Sequence, residues 1–216
     1  MTHSLNEIEA QSRKAARGTG LSWGMAEEAA KATRWLESHQ LPGVRLLAEV
    51  LTRNDGVAHA DIAPQTLDAP WTARSGVLCP LASGAALNDC ADRLATGHHI
   101  EMEDVTSPLL VVPFAAWAAL HICSPVRVQW PDIRIETDGY RIWVNDPKAQ
   151  VGLASKVALT CSRVSEMNQN ASLPELRGRV CPTGWDILGT FAHRTYAPDT
   201  PESRRLGAGA GVSDND

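Results

Sequence analysis

No run in the 216-residue chain has the length and apolarity of a membrane span. The most apolar stretch, Leu109 to Ile122, falls short of the roughly 20 residues a spanning helix needs, and Pro113 breaks it. It reads as buried core, and no membrane partner is expected. Met1 to Gln11 is polar and lacks the basic and apolar regions of a secretory signal. The five cysteines form an odd set without a CxxC pair, so neither a disulfide framework nor a zinc ribbon is indicated. Reduced thiols in the cytoplasm are the expectation. Basic clusters are also missing: 20 Lys and Arg stand against 25 Asp and Glu, a net charge of −5, which excludes a nucleic-acid surface. Phe and Tyr are scarce, two of each beside seven Trp. Trp fills space yet keeps an N–H that needs a partner, so some of the seven should line a pocket or a subunit contact. Trp130 and Trp143, which flank a hairpin, are candidates for exposure on an open sheet.

What remains is an ordinary globular composition, 44% apolar and 21% charged. The first quarter is helical in pattern. Ser4-Leu5-Asn6-Glu7 fits a capping box, with a helix to about Arg17 and a glycine stop at Gly18 or Gly20. A second helix starts at Ser22 and carries Met25, Ala29, Ala32 and Leu36 on one face until Leu41-Pro42-Gly43. A third runs from Val44 to Arg53 and stops at Asn54-Asp55-Gly56. Residues 56–82 show no clean period and read as a long connection or a short edge strand with loops. A helix around Ser83 to Leu94 follows.

From His98 the period becomes two. Ile100 and Met102 alternate with charged neighbours, as do Val126, Val128 and Trp130. Ile133 and Ile135 face Ile142 and Val144 across Asp138-Gly139, which suits a two-residue turn. Val151, Leu153, Val157, Leu159 and Cys161 continue the alternation, predicting an antiparallel meander with one wet face. A last helix fits Thr183 to Arg194, with Thr183 as its cap. The fold class is α+β, in a single domain over residues 1–196: helical to 56, mixed to 97 and mainly β to 165. Residues 197–216 form a Gly- and Asp-rich tail.

Two cysteines share a local setting. Leu78-Cys79-Pro80 and Val180-Cys181-Pro182 each precede a helix, where free N–H groups favour a thiolate. Across one pocket, such a pair could take a proton from one face of a substrate carbon and return it to the other. One alone could serve as a nucleophile. Ordinary packing is the competing account, since free Cys is among the most buried residue types. The separation of the two thiols resembles that in cofactor-independent amino-acid racemases. The Asn-Thr and Gly-Cys-Thr contexts of that family are replaced here by Cys-Pro, and its function is not carried over.

His98, His99, Glu101 and Glu103 invite a metal reading. Successive outward residues on a strand diverge, however, while ligands must converge to about 2 Å from one point, so no metal is expected. Trp23 with Glu28 can hold a cationic or amino-bearing ligand beside the flexible Gly18-Thr19-Gly20 junction, or simply pack a helix junction. Arg194 and Arg204 are candidate carboxylate clamps, since guanidinium offers a bidentate fork. The Gly207–Gly211 alternation lacks the Lys and the following helix of a P-loop, so no nucleotide or other cofactor is expected. The tail either solvates the chain end or folds over the body.

Ala15-Ala16-Arg17-Gly18 with Leu21-Ser22-Trp23-Gly24-Met25-Ala26-Glu27-Glu28 forms one motif. The ending Ser203-Arg204, Gly207-Ala208-Gly209-Ala210-Gly211 and Asp214-Asn215-Asp216 forms another. Together they resemble an uncharacterised bacterial family known as a domain of unknown function. The resemblance implies a stand-alone bacterial protein and supplies no activity. Two functional expectations follow from the residues. One is a cytoplasmic enzyme of small-molecule metabolism using acid/base or thiol chemistry, with Cys79 and Cys181 catalytic and Trp23, Glu28, Arg194 and Arg204 binding substrate. The other is a non-catalytic accessory or ligand-binding subunit that forms a homo-oligomer.

Overall fold

The N-terminal strand β1 (Thr2–Ser4) hands directly into α1 (Leu5–Gly18). In the computed structural model, which describes residues 1–145 and 156–196, Ser4 closes the expected capping box. Its hydroxyl accepts from the Glu7 amide at 3.2 Å, and the Glu7 carboxylate accepts from the Ser4 amide at 2.8 Å. Ser22 caps α2 (Trp23–Ser38) by accepting from the Met25 amide. α3 (Gly43–Asn54) starts behind Pro42, which offers no side-chain cap. Glu37, from the end of α2, supplies one instead: its carboxylate accepts from the Val44 amide at 2.9 Å.

The stretch left open by periodicity contains a single helical turn, α4 (His59–Ile62). It then runs along the outer edge of the main sheet, with parallel bridges Trp71 to Met102 and Leu78 to Val105. The next helix differs from expectation. It begins at Pro80, not Ser83, and breaks at Cys90 into α5 (Pro80–Asp89) and α6 (Ala91–Ala95). Proline is at home in a first turn because its missing N–H would be unpaired there anyway. After β2 (Ile100–Val105), a 3-10 turn at Pro108–Val111 leads into α7 (Val112–His121). This is the apolar stretch read as core, and its Val112–Ala116 are buried.

β3 (Val126–Trp130), β4 (Ile133–Thr137) and β5 (Ile142–Val144) form the expected antiparallel meander. β6 (Val157–Arg163) then returns between β2 and β3, giving the sheet order β2-β6-β3-β4-β5. The extension of this strand to Val151 and Leu153 lies outside the described residues. Asp138-Gly139 does turn the chain, but in a loop longer than two residues, since Thr137 pairs with Ile142. The Asp138 carboxylate accepts from the Tyr140 and Arg141 amides there. The two-residue turn is at Pro131-Asp132, where Trp130 pairs with Ile133 and Asp132 takes φ of 66°. Trp130 is buried, not displayed for pairing, and Trp143 is half-buried.

β7 (Arg177–Arg179) pairs antiparallel with β1 and leads into α8 (Pro182–His193). Cys181 occupies the cap position and Pro182 the first turn, one residue ahead of the predicted Thr183 cap. α8 lies beside α1 and α3. It runs in the direction of α3: Gly184 in its first turn abuts Arg45, while Arg194 beyond its end pairs with Asp55 beyond the end of α3. One apolar core joins Ile8 of α1, Leu47 of α3, Phe114 of α7, Val128 of β3 and Leu188 of α8.

Candidate functional site

The α1–α2 junction, the end of α3, α4 and the head of α5 line a partly open cavity of about 220 Å³. Gly20 shapes the junction by adopting φ of 90°, a conformation glycine accepts without strain. Thr19 and Ser22 contribute hydroxyls to the wall, and Met25, Val50, Leu51, Ile62 and Leu81 supply apolar surface. The polar groups deeper in the chain order are Asn54, His59 and Cys79. The space is below the roughly 300–1,000 Å³ of pockets for drug-sized ligands, so it suits a small metabolite or the reacting end of a longer one.

Cys79 caps α5 and is 5% exposed. Its backbone is fixed on both sides: the amide donates to the Ile62 carbonyl at 2.9 Å, and its carbonyl accepts from the Ser83 amide and hydroxyl. Burial pushes the thiol up from its usual range. The Ala82 and Leu81 amides, Arg53 and the Asn54 side chain pull it the other way without cancelling that effect. The resting group is therefore a thiol at neutral pH, placed where a thiolate would meet helix N–H groups once a base removed the proton. The helix expected from about Ser83 begins at Pro80 instead, which puts Cys79 at its cap position.

Cys181 is not brought to the same place. It caps α8 near the beginning of α3, whereas Asn54, which faces Cys79, ends α3. Nine residues of helix from Arg45 to Asn54 span about 13 Å, so the two thiols belong to opposite ends of α3 and do not flank one substrate. Two-thiol proton exchange across one substrate therefore has no geometric support, and of the two thiols only Cys79 belongs to the cavity wall.

The expected binding residues are otherwise engaged. Trp23 is 67% exposed beside the cavity without lining it, and the Arg17 guanidinium already lies 4.5 Å from its ring centroid. Glu28 faces α5 and not the cavity. Burial raises its pKa, Asp89 adds to the effect, and one carboxylate oxygen is buried without a hydrogen-bond partner. Arg194 donates to both Asp55 oxygens at 2.9 Å and covers the Phe191 ring, so it ties α8 to the end of α3 and is not a free clamp. Arg204 and the Gly-Ala tail lie outside the described residues. His98, His99, Glu101 and Glu103 point outward from β2 and the turn before it, and no group of three His, Cys, Asp or Glu able to hold a metal occurs among the described residues.

Sequence reasoning missed Asn54 and His59. Asn54 belongs to a triplet, Asn54-Asp55-Gly56, whose turn character explained it fully. His59 falls in the segment without a period. The one available signal was Cys-Pro itself, since Pro at a first helical position moves the cap onto the cysteine.

These features define an α+β protein with a small cavity walled by helix ends and a buried thiol. Residues 3–76, the first third of the chain, match a family described as a protein of unknown function (DUF3726). The match takes in the Ala15–Glu28 motif and the α1–α2 and α3 walls of the cavity, and it stops just before Cys79. No curated protein and no solved structure matches the chain. Among the described residues, no helix is long and apolar enough to cross a membrane.

Proposed function

We propose that this chain is a cytoplasmic enzyme of small-molecule metabolism that works through the Cys79 thiol, without a nucleotide cofactor. The observation that carries the reading is the position of Cys79: a buried thiol at the N-cap position of α5 in the wall of a partly open, mainly apolar cavity. Structural cysteines are inert when apolar groups surround them on all sides. Cys161 is of that kind, fully buried in the sheet with its thiol driven far up by burial alone. Cys79 differs in belonging to the wall of a cavity and in having polar groups at its thiol, the Leu81 and Ala82 amides and the Asn54 side chain. The free state of all five cysteines supports a reducing compartment.

The test is a metabolite thermal-shift screen on wild type and Cys79→Ala. A ligand at 100 times its dissociation constant should stabilise the wild type by about 2.7 kcal/mol. Turnover of the hit should vanish in Cys79→Ala, and turnover that persists would remove the thiol from the mechanism. A homo-oligomeric ligand-binding subunit is the second reading, favoured by Leu173 and Leu176 at 69% and 90% exposure on the segment before β7. Light scattering showing a monomer would count against it.

A further inference from the structure

The geometry points to Cys79, His59 and Asn54 as one nucleophilic set for acyl transfer, with a substrate carrying an ester, thioester or amide carbonyl small enough for the cavity. This deepens the reading of Cys79 as the working thiol and rests on it. All three residues line the same 220 Å³ space, from three different elements, with the Asn54 side chain at the thiol and His59 on the exposed side of the wall. Cys79 comes from the head of α5, Asn54 from the end of α3 and His59 from the single turn α4. The elements are locked together where it matters: the Cys79 amide donates to the carbonyl of Ile62, and Ile62, one turn after His59, lines the cavity with it. A buried thiol held in its neutral form needs a neighbouring base to attack anything, and a histidine is the side chain whose ordinary pKa suits that task.

The division of labour follows from the chemistry of each group. His59 takes the Cys79 proton as Sγ bonds to the carbonyl carbon and the π electrons move onto oxygen. The Leu81 and Ala82 amides at the head of α5 are the donors available to the negative charge that develops. Collapse breaks the bond to the leaving group, which receives the proton from His59 and leaves a Cys79 thioester. Water then adds to that thioester and gives a proton to His59, the acid departs, and the proton returns to sulfur. Asn54 positions the thiol. Other charged groups around the cavity have partners of their own or act weakly. Asp61 of α4 pairs with Arg74, Asp55 pairs with Arg194, and Arg17 lies over Trp23. Arg53, on the last turn of α3, favours the thiolate from a distance.

The experiment is the pH profile of Cys79 alkylation by iodoacetamide in the folded chain. Peptide mass spectrometry separates Cys79 from Cys90, Cys123 and Cys181. His59→Ala and His59→Gln should each slow Cys79 labelling at pH 7.5 about tenfold and move the midpoint of the profile up by about one pH unit, since thiolate fraction changes tenfold per unit below the pKa. His59 is exposed, so neither variant should disturb the fold. Incubation with p-nitrophenyl acetate should leave an acetyl group on Cys79 in wild type and much less in either variant. Identical labelling profiles in wild type and both His59 variants would overturn the set while leaving Cys79 as the working thiol. Cys79 that stays unlabelled up to pH 9, while the exposed Cys123 reacts, would overturn both readings.

Discussion

Glu37 offers a test of how the fold holds α3, the helix that carries Asn54 to the cavity. Its side chain is 2% exposed, and its carboxylate takes the place of a missing cap by accepting from the Val44 amide. Burial raises its pKa above the ordinary value, and the Val44 bond only partly offsets this. An acid whose folded-state pKa exceeds its unfolded one favours the fold in its protonated form. That contribution is fully present below the unfolded pKa of about 4.3 and is lost as pH rises through the folded value. Each pH unit between the two values is worth about 1.4 kcal/mol. Glu37→Gln keeps an oxygen for the Val44 amide and removes the buried charge. It should match wild type near pH 4 and exceed it by about 1 kcal/mol at pH 7.5. Glu37→Ala, which leaves the amide without its partner, should lose about 1–2 kcal/mol. Urea unfolding between pH 4 and 8 measures all three. A wild type that gains stability from pH 5 to 8, with Glu37→Gln the weaker protein at pH 7.5, would refute the burial argument. Helix-dipole attraction for the carboxylate would then be the larger effect.

Two further outcomes follow from the packing. A Cβ at Gly18 would lie 1.9 Å from the Phe191 carbonyl oxygen, a backbone atom that cannot swing aside. Gly18→Ala should therefore cost about 3 kcal/mol in chemical denaturation and separate α1 from α8; a loss below 1 kcal/mol would mean that α8 docks elsewhere. Arg194→Ala breaks an exposed pair with Asp55, so it should cost less than about 1 kcal/mol and leave Cys79 alkylation unchanged. A large drop in ligand binding in this variant would restore Arg194 as a substrate clamp.

Local signals made some elements legible and left others hidden. α1 and α2 announce themselves through Ser4 and Ser22, whose hydroxyls cap the helices, and through alanine stripes that become the buried faces. α5 and α8 have cysteine caps followed by proline. A thiol is not a recognised cap, so periodicity placed both starts too late. The hairpin signal at Asp138-Gly139 marked a real turn, yet the tighter one at Pro131-Asp132 went unseen, because Asp132 reaches positive φ without glycine. The insertion of β6 between β2 and β3 is a pairing between distant segments, and alternation along one strand carries no information about its neighbours. The same holds for the candidate site. Cys79 was found from its own surroundings, whereas its partners Asn54 and His59 are 25 and 20 residues earlier and meet it only through folding.

The orientation of the helices around the cavity bears on which chemistry it favours. α2 and α5 both begin at its wall, through Ser22 and Cys79, so the positive ends of two helix dipoles face the space. α3 ends there and contributes a negative end, but Arg53 lies in its last turn and offsets it. The balance is positive around a lining that is otherwise mostly apolar. Such a setting does little for a cationic ligand, which is the ligand Trp23 and Glu28 had suggested, and Arg17 already occupies the Trp23 ring. It stabilises charge that grows on an oxygen during reaction, because fixed dipoles act most strongly on the buried side of the space, where Cys79 lies. Burial keeps the Cys79 thiol protonated at rest and so protects it from oxidation, which requires thiolate character. A thiol that is quiet until a base and a polarised carbonyl arrive together, beneath two helix starts, is suited to acyl chemistry and poorly suited to redox sensing.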